Sequence, residues 1–341
     1  MNNKKALETA LINSLHELLT DRHRQISIVV HTNPDGDAIG SALGFLNFLN
    51  GLGYTKVSVI APNAYASFLH WMPGNDLVIN ASEQPEVASA AIADAHLLFC
   101  LDFNGFARAE QLENALISSK AIKIMIDHHP QPEKGFDLIF SDTGVSSTAE
   151  LVYEVIAALG YEDAIGLDSA QCFYAGIVTD TGSFSFSCNN PRTYEITARL
   201  IGKGVDGAHI QRLIYNTYSA QRMRLLGFCL SEKLVVLEKH HTAYISLTMD
   251  EMQRFDHKEG DTEGIVNYAL SIEGIRMAAL FIEKDDCIKL SLRSTDPIDV
   301  NTFARKHYDG GGHKNAAGGK SFTDMHNSLM KFEVLVSGES L

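Results

Sequence analysis

Residues 26–49 read ISIVVHTNPDGDAIGSALGFLNFL. Four of the first five residues are β-branched, which predicts a strand at Ile26–Val30. A polar turn follows, and the apolar positions of Ala38–Leu49 then predict a helix. Farther along the chain, helical stretches separate three more predicted strands, Lys56–Ile60, Leu97–Leu101 and Ile122–Ile126. Strands that alternate with helices predict an α/β fold with a parallel sheet and helices on both faces.

The pattern changes after about Arg224, and a second, smaller α/β domain is predicted there. Its expected elements are the strands Leu234–Leu237, Thr242–Leu247, Met277–Ile282 and Ile288–Leu292, with a helix at Glu263–Ile272. A chain of 341 residues is longer than a single core usually organises. We therefore expect a first domain at 1–218 and a second at 219–341.

Between these regions the sequence predicts further helices. One covers Ser147–Gly160, and Ser147 with Glu150 is expected to form a capping box at its start. Another covers Ser169–Val178 and leads into Thr179-Asp180-Thr181-Gly182.

Composition limits the class of partner. Hydrophobic residues make up 45% of the chain, and the formal net charge is −14. Proteins that bind long nucleic acid usually carry a broad basic face, so the acidic balance argues against long duplex nucleic acid and favours a small or short substrate. The five cysteines include no C-x-x-C pair, which suits the reducing cytoplasm. The apolar runs are shorter than the ~20 residues that span a bilayer, so no membrane association is expected.

Acidic and imidazole side chains follow three of the predicted strands. His31, Asp35 and Asp37 follow the first, Asp102 follows another, and Asp127-His128-His129 follows Ile122–Ile126. Ligands of parallel sheets bind beyond the carboxyl ends of the strands, so these groups are expected to meet. An Asp-Gly-Asp turn or a lone His is usually structural by itself, but turn chemistry does not require so many such groups at one edge. Oxygen and imidazole ligands without thiolates favour manganese or magnesium over structural zinc.

The C-terminal region carries a local positive charge. Between Lys289 and Lys320 there are six Lys or Arg against three Asp. Three consecutive glycines, Gly310, Gly311 and Gly312, can bring backbone N–H groups close to an anion. A solvated basic face with a flexible turn is the alternative, and the upstream acidic motifs favour a phosphate pocket.

These motifs together resemble those of the DHH phosphoesterases. The segment from His31 to Ser41 resembles the first motif, Asp102 the second, Asp127-His128-His129 the motif that names the superfamily, and Gly176–Phe184 the fourth. Ser291–Ser294 and Gly310–Gly318 resemble the DHHA1 substrate domain. Within the superfamily, the bacterial nanoRNA phosphodiesterases that also act on 3′-phosphoadenosine 5′-phosphate (pAp) are the most similar group.

The resemblance implies a role for each matching residue. His31 and Asp35 would bind one divalent cation, and Asp37, His128 and Asp180 a second, with Asp102 bridging both. His129 would donate to the scissile phosphate, and Asp127 would orient the histidines. Arg293, Ser294, Gly310, Gly311, Gly312 and His313 would bind the substrate. Manganese is the first expectation for the two ions, with magnesium or cobalt as alternatives.

The resemblance predicts a hydrolase that removes phosphate or nucleotide units from short RNA oligonucleotides, from pAp, or from both. A linear or cyclic dinucleotide phosphodiesterase, an exopolyphosphatase, and a nucleotide sensor without turnover remain alternatives. A RecJ-type exonuclease would need a further oligonucleotide-binding domain, and manganese pyrophosphatases differ in the second domain. The sequence leaves the oligomeric state open, with a homodimer as one option. The stretch from Phe103 to Arg108 differs from the more polar segment of many relatives.

Overall fold

The computed structural model describes residues 2–258 and 260–338. The chain folds as two units, Met1–Thr217 and Tyr218–Leu341.

The first unit is built on a parallel sheet of six strands in the order β3-β2-β1-β4-β5-β6. Its strands are β1 (Ile26–Val29), β2 (Val57–Ala61), β3 (Val78–Asn80), β4 (Leu97–Leu101), β5 (Ile122–Asp127) and β6 (Leu138–Ser141). Its α-helices are α1 (Asn2–Leu18), α2 (Gly36–Gly51), α3 (Pro85–Asp94), α4 (Glu113–Ser118), α5 (Thr148–Ala158), α6 (Leu167–Asp180), α7 (Pro191–Gly202) and α8 (Gly207–Tyr215).

Both faces of this sheet are covered, as the alternation of side chains in a strand requires. Ile28 and Phe99 point into a core shared with α2, α5 and α6. Val29 and Leu98 point into a second core, which α3 and α4 cover through Ile92 and Leu116. The predicted α/β architecture with helices on both faces is confirmed.

The second unit contains a mixed sheet of six strands in the order β11-β12-β10-β9-β8-β7. Only β8 and β9 pair in parallel, and the other neighbours are antiparallel. Its strands are β7 (Leu234–Leu237), β8 (Thr242–Leu247), β9 (Met277–Glu283), β10 (Ile288–Ser294), β11 (Gly311–His313) and β12 (Ala316–Ser321). Its α-helices are α9 (Ala220–Phe228), α10 (Met249–Arg254), α11 (Ile265–Leu270), α12 (Val300–His307) and α13 (Met325–Gly338).

This sheet also separates two cores. Phe303 of α12 and Phe332 of α13 lie in one, and Val266 of α11 lies in the other. None of the helices within residues 2–258 and 260–338 combines the length and the apolarity needed to cross a membrane.

Candidate metal centre

The centre of the parallel sheet brings three strand ends together. In the strand order, β1 lies next to β4, and β4 lies next to β5. His31 follows β1, Asp102 follows β4, and Asp127 is the last residue of β5. The three polar groups therefore leave adjacent strands at the same edge of the sheet.

The turn after β1 is organised by the start of α2. Asp35 is the N-cap residue, and its Oδ1 accepts hydrogen bonds from the backbone N–H of Asp37 at 3.0 Å and of Ala38 at 3.1 Å. An N-cap carboxylate compensates the unpaired N–H groups of the first helical turn. A Cβ on Gly36 would overlap the side chain of Thr179. The turn thus lies directly against the end of α6, where Asp180 is located.

Glycines let α2 and α6 approach each other closely. A Cβ on Gly40 would lie 2.6 Å from the carbonyl oxygen of Cys172, and one on Gly176 would lie 2.9 Å from Oδ1 of Asp37. Real Cβ atoms do not tolerate such distances, so both positions require glycine at this helix separation. The motif glycines therefore set the distance between the two helices that carry Asp37 and Asp180.

Two groups of side chains that share no residue could each ligate a metal ion at this edge, beside a third set, Asp102, Asp127 and His129, that overlaps the first. The first contains His31, Asp35 and Asp102, and the second contains Asp37, His128 and Asp180. Within each group the ligand atoms lie within 4.8 Å of one another. In the second group, Nε2 of His128 lies 3.8 Å from Oδ2 of Asp37 and 3.6 Å from Oδ2 of Asp180.

Asp102 lies between the two groups. Its Oδ2 is 3.4 Å from Nε2 of His31, and its Oδ1 is 3.7 Å from Nε2 of His128. The residue is 2% exposed and adopts a left-handed φ of 64°. Such a conformation is costly for a residue other than glycine and is found mostly where the surroundings impose it. One carboxylate therefore offers one oxygen to each group.

The hydrogen bonds of two histidines fix which ring nitrogen is available. Nδ1 of His31 lies 2.9 Å from the carbonyl oxygen of Thr32, which can only accept, so Nε2 carries the lone pair. Nδ1 of His129 lies 2.7 Å from Oδ1 of Asp127, which places the ring proton on Nδ1 and the lone pair on Nε2. These are the partners that metal-binding and catalytic imidazoles commonly have.

The buried carboxylates repel one another. Burial and the negative charges of Asp102 and Asp35 raise the pKa of Asp37 well above its ordinary value. Burial and the negative charges of Asp35, Asp127 and Asp180 do the same to the pKa of Asp102. Bound cations would remove this repulsion, since a cation is the largest local charge in such a site. The oxygen and imidazole donors and their charge thus fit divalent cations.

Arg108 is a residue to which the sequence analysis gave no role. Its carbonyl oxygen accepts from the N–H of Thr32 at 2.8 Å, beside His31. Its exposed side chain makes no ion pair or hydrogen bond within the part of the chain that the structure describes. Burial and the positive charges of Arg108 and His31 lower the pKa of His129 to about 3. An unpaired guanidinium next to acidic and imidazole groups that could ligate a metal ion is well suited to an anionic substrate.

The start of α5 differs in one respect from the predicted capping box. The side chain of Ser147 caps the helix by accepting from the N–H of Glu150 at 3.1 Å, as predicted. The carboxylate of Glu150, however, accepts from the N–H of Ser146 at 3.1 Å rather than completing a capping box with Ser147. The next residue, Thr148, donates to both Asp37 and Asp102. Because those acids are 111 and 46 positions away, local spacing did not reveal these contacts.

The predicted substrate residues lie in the second unit, on β10 and around β11. Arg293 and Ser294 end β10, and the hydroxyl of Ser294 donates to the carbonyl oxygen of Ile298 at 2.8 Å. Gly310 precedes β11, and Gly311, Gly312 and His313 form it.

These glycines have a structural reason beyond anion binding. A Cβ on Gly310 would overlap the backbone of Gly318, and Gly312 has a φ of +147°. The N–H of Gly312 already donates to Oδ1 of Asn301 at 3.0 Å. The close hairpin of β11 and β12 therefore requires glycine at two of the three positions.

Comparison with known proteins agrees with both units. Residues 25–177 match the DHH family, N-terminal domain, and residues 241–332 match the DHHA1 domain. The bifunctional oligoribonuclease and PAP phosphatase NrnA of Bacillus subtilis is 30% identical over 86% of this chain and 88% of its own. The cyclic-di-AMP phosphodiesterase GdpP of the same organism is 28% identical over 89% of this chain but only 46% of its own.

A solved structure covers almost the entire chain. The crystal structure of an exopolyphosphatase-related protein from Bacteroides fragilis superposes with a TM-score of 0.90 at 40% identity, over 96% of both chains. Together with the two domain matches and the relative that is 30% identical, this similarity extends over both units. The chain belongs to the DHH–DHHA1 family of phosphoesterases.

Proposed function

We propose that this phosphoesterase uses two divalent cations, manganese in the first place, to hydrolyse short RNA oligonucleotides and to convert pAp to AMP. The observation that carries the proposal is the carboxylate of Asp102, which has one oxygen within 3.4 Å of His31 Nε2 and the other within 3.7 Å of His128 Nε2. A single carboxylate in this position can serve two neighbouring ions at once.

The ligands divide between the two ions. His31 and Asp35 would hold one, Asp37, His128 and Asp180 would hold the other, and Asp102 would contribute to both. When bound, such ions lower the pKa of water and neutralise charge on the phosphoryl oxygens. In the reaction with pAp, water adds to phosphorus, the bond to the 3′ oxygen breaks, and AMP and phosphate leave.

The Asp127–His129 pair holds a proton beside the reacting group. At neutral pH the ring of His129 is uncharged, because its pKa is lowered to about 3, and its Nε2 carries the lone pair. Donation from Nε2 to a phosphate requires the ring to take up a proton, which the negative charge of a bound phosphate favours. His129 is thus able to receive a proton first and return it to the leaving oxygen.

The DHHA1 region supplies further substrate contacts in this proposal. Arg293, Ser294, Gly310–Gly312 and His313 are the residues concerned, and Arg293 has the geometry to bind phosphate through two N–H groups. Short substrates are favoured because the chain as a whole has a net charge of −14, which repels long polyanions. The five free thiols are buried, which suits the cytoplasm as the location of the reaction.

The similarity to the B. subtilis oligoribonuclease and PAP phosphatase supports this choice of substrates. Two competing substrates also have support, since other similar proteins are described as a cyclic-di-AMP phosphodiesterase and as exopolyphosphatase-related. A nucleotide sensor without turnover would not need a complete set of ligands for two ions.

One experiment separates these functions. Purified protein with manganese is incubated in parallel with dinucleotide RNA, pAp, cyclic di-AMP and polyphosphate, and the products are resolved by chromatography. We expect mononucleotides from RNA and AMP from pAp, at rates well above those for the other two substrates. Faster turnover of cyclic di-AMP or polyphosphate would reassign the substrate, and binding of all four without products would identify a sensor.

A further inference from the structure

The amino terminus of α5 contacts both of the carboxylates on which the two ion sites depend. The N–H of Thr148 donates to Oδ2 of Asp37 at 2.6 Å, and the N–H of Ala149 donates to Oδ1 of the same residue at 2.9 Å. The hydroxyl of Thr148 donates to Oδ1 of Asp102 at 2.8 Å. Thr148 therefore connects a ligand of one ion with the ligand that both ions share.

The two kinds of contact differ in what they require of the sequence. Any residue other than proline at position 148 would supply the N–H that holds Asp37. Only a hydroxyl on the Cβ of this residue supplies the bond to Asp102. The bond to Asp102 thus requires threonine or serine at this position rather than a generic helix-starting residue.

The hydrogen bond restricts how the carboxyl plane of Asp102 can rotate. Oδ1 receives the Thr148 hydroxyl and also faces His128, while Oδ2 faces His31 at 3.4 Å. Each carboxylate oxygen has two lone pairs, so Oδ1 can accept this bond and still ligate an ion. Rotation of the carboxyl group would break the bond and turn its oxygens away from the two ion sites.

Thr148 is itself held rigidly by a buried network. Ser147 caps α5, and the carboxylate of Glu150 accepts from the N–H of Ser146 and from the hydroxyl of Thr193 at 2.9 Å. Ser146, Ser147, Thr148, Glu150 and Thr193 are each 0–1% exposed. The bonds to the Glu150 carboxylate all end on its Oε2, whereas its Oε1 has no partner among the described residues, and buried hydrogen bonds that share one acceptor restrict the movement of their donors.

We propose that Thr148 is a positioning residue whose hydroxyl orients Asp102 so that each of its oxygens serves a different ion. This inference rests on the proposed two-cation hydrolase. Loss of an outer hydrogen-bond partner of a metal ligand typically lowers metal affinity or activity about 10–100-fold. We expect that range for removal of the hydroxyl, with little change when the hydroxyl is retained.

The test compares Thr148→Val, which keeps the side-chain shape, with Thr148→Ser, which keeps the hydroxyl. Thr242→Val is the matched control, because Thr242 is fully buried in the second unit and its hydroxyl donates to a carbonyl oxygen at 2.8 Å. Each protein is stripped with a chelator, and Mn²⁺ affinity is measured by calorimetry. The magnetic coupling of the bound ions is followed by electron paramagnetic resonance, and thermal unfolding of the metal-free forms is recorded.

We expect Thr148→Val to bind manganese about 10–100-fold more weakly and to lose coupling between the ions. Thr148→Ser should recover most of both, and Thr242→Val should bind as the parent does. If Thr148→Val does not fold, Thr148→Ala removes the same hydroxyl with a smaller side chain. Parent-like affinity and coupling in the folded hydroxyl-free variant would overturn the inference.

The same experiment distinguishes failure of the inference from failure of the proposed function. If the parent protein binds two ions and hydrolyses RNA or pAp while Thr148→Val matches it, only the role of Thr148 is wrong. If the parent itself binds no coupled pair of ions, the proposed function and the inference both fail.

Discussion

Asp102→Asn removes one negative charge from between the two groups of ligands while keeping the shape of the side chain. The Asp102 oxygens lie 3.4 Å and 3.7 Å from imidazole nitrogens of the two groups. At a separation of roughly 4 Å and an effective dielectric constant of about 20, two unit charges interact by ~4 kcal/mol. One carboxylate facing two cations gains such an interaction twice, and rearrangement of water and neighbours recovers part of the loss.

If about half of that sum is lost from transition-state stabilisation, kcat/KM falls by a factor on the order of 10³. The assay is release of AMP from pAp and of mononucleotides from dinucleotide RNA, at several manganese concentrations. Glu154→Gln is a suitable control, because Glu154 pairs with Arg192 at 2.9 Å and its side chain is 30% exposed. An Asp102→Asn variant that retains more than a tenth of the parent activity would refute the reasoning.

Three further predictions concern the buried acids, the packing of α6 and the proposed substrate contacts. The pKa values of Asp37 and Asp102 are raised in the folded protein, so the folded state binds more protons than the unfolded chain. The stability of the metal-free protein should therefore fall as the pH rises from about the ordinary value of 3.8 towards the raised pKa. Saturating manganese should flatten this fall in a series of thermal melts. Gly176→Ala would place a Cβ 2.9 Å from Oδ1 of Asp37 and should cost about 1–3 kcal/mol in chemical denaturation and weaken manganese binding, whereas Gly202→Ala, with nothing within 4 Å, should do neither. Arg108→Ala and Arg293→Ala should each raise KM more than they lower kcat, with Arg199→Ala as the control; an unchanged KM in steady-state kinetics would remove that residue from the substrate site.

The sheet was largely predictable because its strands carry strong local signals. β4 reads LLFCL and is entirely apolar, β1 reads ISIV and is rich in β-branched residues, and each is followed by a polar turn. The rule that ligands gather beyond the carboxyl ends of parallel strands then brings His31, Asp102 and Asp127 together without any coordinates.

Short strands with weak local signals were not predicted. β12 reads AAGGKS and has almost no β-branched or aromatic residues, yet it pairs with β10 along its full length. Pairing with an established neighbour overrides the local preference of such a segment. The same explanation applies to β11, which reads GGH, whereas β3 reads VIN and was missed because it is only three residues long.

The sequence also did not predict the contacts that orient the side chains of the site. Thr148 looked like an ordinary first residue of a helix, and its contact with Asp102 depends on how α5 packs against the sheet edge. Likewise, Gly176 acquires its role only because α6 crosses α2 at close range. Spacing along the chain carries no information about either approach.

The most direct measurement is the anomalous scattering of crystals of the parent protein grown with manganese. Two peaks should appear on opposite sides of the Asp102 carboxylate, ~3.5–4 Å apart, one near His31 and the other near His128 and Asp180. A single peak, or two peaks that do not share Asp102, would contradict the paired-cation centre.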